Sequence, residues 1–148
     1  GAWSVLSRMF PRAELPVVQL SLDRTKPPEY HYELGRSLRP LRDRGVLIVG
    51  SGNIVHNLRA LCWEGGDRAY EWAADFDETV KLHIARGDVE PVVRYDRMGD
   101  AARLSVPTNE HFLPLLYALG ASKPGERAVF FAEKVTMCSL SMRSIIFG

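Results

Sequence analysis

The sequence predicts an α/β fold: a mixed, largely parallel sheet flanked by helices, with closing strands at the C-terminal end. Three observations predict it. Two short apolar runs, residues 17–22 and 46–50, have the length and β-branched content of buried strands. Between them, residues 29–44 carry Leu34, Leu38 and Leu41 at helical spacing and stop at Gly45. Strand, helix and strand with short connections form a βαβ unit, which implies parallel pairing and a right-handed crossover.

The elements follow in order. The strand over 17–22 is closed by Asp23 and the Pro27-Pro28 pair. The helix over 29–44 contains Pro40, which lacks a main-chain donor, so a kink or a tightened last turn is expected. The strand over 46–50 runs into Gly50-Ser51-Gly52-Asn53. In open α/β sheets ligands sit at the carboxyl ends of strands, and glycines there let the backbone turn and approach a ligand closely. His56 falls at that place, where a metal ligand or a general base would stand; by position alone an ordinary loop histidine is the alternative. Residues 70–86 read as a second amphipathic helix, ended by Gly87. Residues 88–107 mix proline, glycine and both charges and predict irregular chain with one short helical turn at most. Thr108 is an N-cap for a helix over 109–119, Pro114 should bend that helix, and Gly120 suits the position after its end. Residues 128–131 and 138–147 read as the closing strands.

At 148 residues and 46% apolar content the chain can build one sizeable core. Nineteen basic against 18 acidic residues leave a net charge of +1, which gives no global electrostatic case for nucleic acid or an anionic membrane. No apolar run approaches the ~20 residues that span a bilayer. Arg8, Arg12 and two prolines interrupt the first apolar patch, which does not read as a signal peptide. Cys62 and Cys138 form no CxxC pair, so two buried thiols in a reduced, cytoplasmic protein are expected. No oligomeric state follows from the sequence.

Among candidate chemical groups, Gly50-Ser51-Gly52 is not a dinucleotide loop, because Val55 stands where the third glycine belongs and no P-loop lysine follows. Ser51, Ser139 and Ser141 lack a nucleophile-elbow context. His111 lies in the first turn of its predicted helix, where the dipole disfavours imidazolium and leaves a lone pair for a metal; a surface or capping role is the alternative. Asn53 and Asn57 flank His56 as outer partners for its ring or as turn residues. Trp63, Tyr70 and Trp72 could wall an aromatic pocket or pack in the core. His31 and His83 lie inside predicted helices without partners at ligand spacing and read as solvated helix faces. Glu110 would complete a two-histidine, one-carboxylate iron site, but no motif supports it.

The segment Ser51-Gly-Asn-Ile-Val-His-Asn-Leu-Arg59 resembles a signature of the class III extradiol ring-cleavage dioxygenases, in their DOPA 4,5-dioxygenase-type branch. Residues 15–21, 72–81, 109–120 and 139–142 agree in the same order, so the resemblance covers essentially the whole chain. It implies a metal-dependent enzyme that opens a catechol-type, DOPA-like aromatic with O2. His56 and His111 would be metal ligands, and Asn57 and Trp72 substrate contacts. Fe(II) is the expected metal, with Zn(II) suited by the same ligands. Ring opening needs an ion that binds both catecholate oxygens and O2, and a base for a hydroxyl proton. Gly1-Ala2-Trp3 resembles the tail of an Asp-His-Gly-x-Trp motif, which would put that base just before Gly1 and two further metal-binding histidines upstream. Residues 1–148 are therefore expected to be the C-terminal portion of a single catalytic domain, incomplete and inactive alone. A non-redox zinc-dependent hydrolase or a metal-free binding protein on the same scaffold are the alternatives. On every metal-site reading His56 and His111 should converge on one pocket.

Overall fold

The computed structural model describes residues 2–64, 66 and 68–148. Gly1, where the expected motif tail begins, lies outside them. The architecture is mixed α/β: helices over most of the chain and small antiparallel ladders near its end. Helix α1 covers Ala2–Met9. Helix α2 covers Pro28–Arg42, starting on Pro28, whose missing N–H would be unsatisfied at a first helical position anyway. Pro40 falls in its last turn, and the helix ends two residues before the predicted stop.

Helix α3, Glu71–Arg86, matches expectation and ends on Gly87 in the left-handed region at φ 71°. Its buried face is Ala73, Phe76, Asp77, Val80 and Ile84, an apolar stripe with one carboxylate in it. Residues 88–107 are more regular than predicted: α4 is Val89–Val93, Tyr95–Arg97 is a 3-10 turn, and α5 is Asp100–Ser105. Short helices of this kind gain little from propensity; Val92, Val93, Tyr95 and Ala102 are buried, and that packing holds them.

The helix predicted over 109–119 divides. Asn109–His111 is a 3-10 turn and α6 is Leu113–Ala121. Pro114 sits in the first turn of α6 and opens the helix rather than bending it. Gly120 lies inside α6, and its role is close approach: a Cβ there would overlap the Tyr32 carbonyl, while one on Gly35 of α2 would stand 2.5 Å from the Tyr117 carbonyl. Helices α2 and α6 therefore cross at backbone distance. His31, expected on a solvated face, is fully buried in that crossing with Nδ1 3.0 Å from the Tyr117 hydroxyl. The core beneath is built on Val55, Phe76, Val80, Phe112, Leu113 and Leu116.

The sheet departs furthest from expectation. Strand β1 (Ala128–Phe131) pairs antiparallel with β4 (Ser144–Phe147), and β2 (Val135–Thr136) pairs antiparallel with β3 (Leu140–Ser141). The single strand expected over 138–147 is broken at Met142-Arg143, because the Arg143 side chain turns inward onto the α3 carboxylate of Asp77. Among the described residues neither 17–22 nor 46–50 joins a ladder, and no parallel sheet forms. Both segments stay exposed, Val18 at 93% and Leu47 at 61%. A strand is defined by a ladder of hydrogen-bonded neighbours, and among the described residues neither apolar run has a strand partner.

Cys62 and Cys138 are not separate thiols: they pair as a disulfide with Cα atoms 5.7 Å apart. The reason is that the β2–β3 turn folds back onto the loop after His56. The Cys62 N–H donates to the Met137 carbonyl at 3.2 Å, and the Cys138 N–H donates to the Arg68 carbonyl at 3.0 Å. No helix among the described residues is long and apolar enough to cross a membrane.

Two outcomes follow. The disulfide joins residues 76 positions apart. On chain-entropy grounds its reduction should remove up to ~4 kcal/mol, read as a fall in Tm on adding dithiothreitol that a Cys62→Ser, Cys138→Ser double variant does not show. Arg42 grips Glu126 through both oxygens, at 2.6 and 2.7 Å, and this holds the Glu126 carboxyl below its ordinary pKa. A depressed carboxylate stabilises the fold above its unfolded pKa and loses that contribution as pH falls through the folded value. Glu126→Gln should therefore cost about 1–2 kcal/mol at pH 7 and nothing well below pH 4, as urea unfolding against pH will show.

Candidate active site

His56 is held by the backbone on both sides. Its own N–H donates to the Ser105 carbonyl at 2.9 Å, and it forms an antiparallel bridge with Leu140. Beside it, Val55 accepts from the Ser141 N–H at 3.0 Å. On the other side the Asn57 N–H donates to the Ser139 carbonyl at 3.1 Å, and the Ser139 hydroxyl returns a bond to the Asn57 carbonyl at 2.8 Å. The histidine thus sits on a short stretch that is anchored residue by residue.

His111 arrives from the 3-10 turn before α6. Thr108 does not cap that turn with its side chain; its hydroxyl donates to the Glu110 carboxylate at 2.9 Å. The His111 carbonyl accepts the Asn53 N–H at 2.8 Å. Gly50 and Gly52 make that approach possible, since a Cβ on Gly50 would overlap the Pro114 carbonyl and one on Gly52 the His111 carbonyl. The glycines expected to admit a ligand admit the backbone of the second histidine instead.

The two imidazoles meet. Their centroids are 3.5 Å apart and their planes 17° from parallel. Burial lowers the His56 pKa, and the neighbouring His111 lowers it further, against smaller raising effects from a main-chain hydrogen bond and Glu110. His56 is therefore a neutral imidazole at neutral pH, the form that donates a lone pair or accepts a proton. The donor chemistry fits a divalent ion, and so does the proximity. The ring planes do not yet fit: an ion midway between parallel rings would lie about 1.8 Å out of each plane, whereas a metal–imidazole bond of about 2.1 Å runs within it. Shared ligation needs at least one ring to turn out of the stack. Among the described residues no group of three or more His, Cys, Asp or Glu side chains is placed to hold a metal.

The other expected residues have definite places. The Asn57 carboxamide is spent on the chain itself, donating to the Leu104 carbonyl at 2.8 Å and accepting the Arg59 N–H at 3.1 Å. Asn53 likewise donates to the Ser141 carbonyl at 2.7 Å rather than to a histidine ring. Trp72 is half-buried, packs against the core and stacks on Tyr70 at 5.5 Å. Trp63 is 80% exposed on the loop that follows His56. His83 lies by Asp88, 2.9 Å away. Glu110 is engaged by Thr108 and has Arg24 3.7 Å away. Asp77 and Arg143 were not singled out by the sequence, and Ser141 was considered only as a nucleophile; together they join the back of the site to α3. One signal was available: a carboxylate, Asp77, at a core position of an amphipathic helix must have a partner.

The chain is similar to known proteins along its whole length. The family model described as the catalytic LigB subunit of aromatic ring-opening dioxygenase matches residues 1–145. The chain is 48% identical over its full length to a 4,5-DOPA dioxygenase extradiol of Escherichia coli (strain K12), covering 55% of that protein. It is 39% identical over 86% of its length to a 4,5-DOPA dioxygenase extradiol of Beta vulgaris, covering 47% of that protein. The crystal structure of an uncharacterized protein from Escherichia coli K12 superposes with a TM-score of 0.90 at 47% identity, over 98% of this chain and 60% of that one. The chain spans about half the length of the curated relatives it matches.

Gly52→Ala tests the close approach directly. The added methyl must push residues 52–53 off the His111 carbonyl, at a cost of about 1–3 kcal/mol. Thermal unfolding should register that loss, and a crystal structure of the variant should show the two rings no longer stacked.

Proposed function

The chain belongs to the LigB family of aromatic ring-opening dioxygenases, and on that premise we propose that it is the C-terminal portion of the catalytic domain of an extradiol enzyme acting on a DOPA-like catechol. The observation that carries the reading is the stacked pair of His56 and His111, two imidazoles brought together from distant parts of the chain. When bound, a divalent ion, Fe(II) in this reading with Zn(II) suited by the same ligands, would supply the Lewis-acidic centre that brings the catecholate oxygens and O2 together. His56 and His111 would hold it once a ring turns from the stack, with further histidines from the rest of the domain. A histidine preceding Gly1 would take the hydroxyl proton.

The near-parallel rings favour one variation on these roles. One imidazole would hold the ion and the other would accept a hydroxyl proton; the depressed pKa of His56 suits it to that second part. Trp72, with Tyr70 stacked on it, offers an aromatic face for the substrate ring. Asn57 acts through His56, whose loop its carboxamide fastens. The parallel sheet belongs to the same proposal: the exposed apolar segments 17–22 and 46–50 would be paired by strands from the remainder of the domain. A cytoplasmic setting belongs to the same proposal.

Oxygen uptake with L-DOPA after Fe(II) loading tests it, comparing this chain with a version extended to the length of its relatives. The extended protein should turn over and the 148-residue chain should not. In the extended protein, alanine at His56 or His111 should lower kcat by about 10²–10⁴-fold. A variant that loses its iron has lost a ligand, and one that keeps iron but not turnover has lost the proton acceptor. Turnover by the short chain, or none by the extended one, overturns the proposal.

A further inference from the structure

We infer that Asn53 is the positioning residue that keeps His56 and His111 face to face, and that it does so because Ser141 and the buried Asp77–Arg143 pair hold it from behind. The catalytic meaning of this role rests on the metal-site reading above; its geometric content does not.

His56 is seated on β3, through the Leu140 bridge and the Ser141 N–H bonded to Val55. His111 belongs to a different part of the chain. Asn53 joins the two: its main-chain N–H donates to the His111 carbonyl at 2.8 Å, and its side-chain amide donates to the Ser141 carbonyl at 2.7 Å. One residue therefore ties the His111 turn to the strand against which His56 is seated. The amide is required by type. A carboxylate at that place would face a carbonyl oxygen without a proton to share, and an apolar side chain would leave the Ser141 carbonyl without its donor.

Ser141 is itself fixed. Its hydroxyl, 1% exposed with the rest of the residue, donates to Asp77 at 2.6 Å and accepts the Arg143 N–H at 3.2 Å. The second Asp77 oxygen accepts from the Arg143 guanidinium at 2.6 and 2.9 Å. Arg143 reaches onward to Glu78 at 3.0 Å and to Glu133. The chain of bonds runs from α3 through Ser141 to Asn53 and ends on the carbonyl of His111. The bonds that matter to Asn53 are directional, from its amide to the Ser141 carbonyl and from the Ser141 hydroxyl to Asp77, so they fix an orientation rather than merely filling space.

The test uses the complete protein, free of metal, with histidine-ring NMR assigned through His56→Ala and His111→Ala. Rings stacked at 3.5 Å displace one another's Cε1 protons upfield. Asn53→Ala, Asn53→Asp and the milder Ser141→Ala should each abolish that displacement, while Glu126→Gln, remote from the site, should keep it. Zn(II) titration should then show at least tenfold weaker binding for Asn53→Ala and Ser141→Ala and unchanged binding for Glu126→Gln. A folded Asn53 or Ser141 variant with the ring shifts and Zn(II) affinity of the unaltered protein overturns the inference, whatever its Tm. If Asn53→Ala does not fold, Ser141→Ala decides by the same readouts. If the unaltered complete protein takes up no Zn(II) or Fe(II), the metal-site reading fails, and the ring shifts alone still decide whether Asn53 positions the pair.

Discussion

The site depends on one contact: the backbone at residues 50–53 lying directly on the backbone at residues 111–114. No side chain can stand between them. Gly50 and Gly52 leave that space open, and the Asn53 N–H then takes the His111 carbonyl. Every other feature of the site is downstream of this approach. With it, two imidazoles 3.5 Å apart lower the pKa of His56 by burial and mutual proximity. Without it they are two unrelated loop histidines.

The same device recurs at the other end of α6. Gly35 and Gly120 let α2 and α6 cross at backbone distance, and Arg39 and Arg42 donate to the Gly120 and Ala121 carbonyls at 2.8 and 2.9 Å. Carbonyls at a helix C-terminus have no partner within the helix, and guanidinium groups satisfy both their hydrogen bonding and the negative end of the dipole. α6 is thus pinned at its start by the loop that carries His56 and at its end by α2. His111, one residue ahead of the helix's own cap, inherits that rigidity. A site on a doubly seated helix keeps its geometry better than one on a free loop.

How much of this the sequence disclosed depends on which signal was periodic. α2 and α3 were legible because apolar residues recur at helical spacing and glycine follows each. α4 and α5 were not, since their burial comes from tertiary packing that no local pattern announces. The meeting of His56 and His111 was expected from the sequence. Which residues would hold them was not: Asn53 was read as a partner for a ring and bonds a main chain. Gly50 and Gly52 were rightly read as places of close approach, but a glycine does not name what approaches it. Cys62 and Cys138 carry no spacing signal at all, because their pairing depends on a hairpin returning to the His56 loop. The apolar runs at 17–22 and 46–50 show the converse: the strand pattern is plain, yet pairing is a property of two segments, and neither finds its second among the described residues.

The charged bracing behind the site calls for a physical reason, because burying Asp77 and Arg143 is expensive. Removing both from water costs several kcal/mol per ion, and well-packed apolar residues often do as well for stability. Stability is therefore a poor account of the pair. Register is a better one. β2 and β3 are paired over only two residues each, and so short a ladder specifies its own alignment weakly. A slip by one residue would turn Ser141 outward and carry its carbonyl away from Asn53. Asp77 resists that slip because its two oxygens accept only from particular donors, the Ser141 hydroxyl and the Arg143 guanidinium, and any other register leaves a buried carboxylate unpaired. An apolar contact tolerates sliding, whereas this one does not. The brace thus converts a weakly aligned hairpin into a fixed support for the two histidines, which is the property a metal-dependent site would need from it.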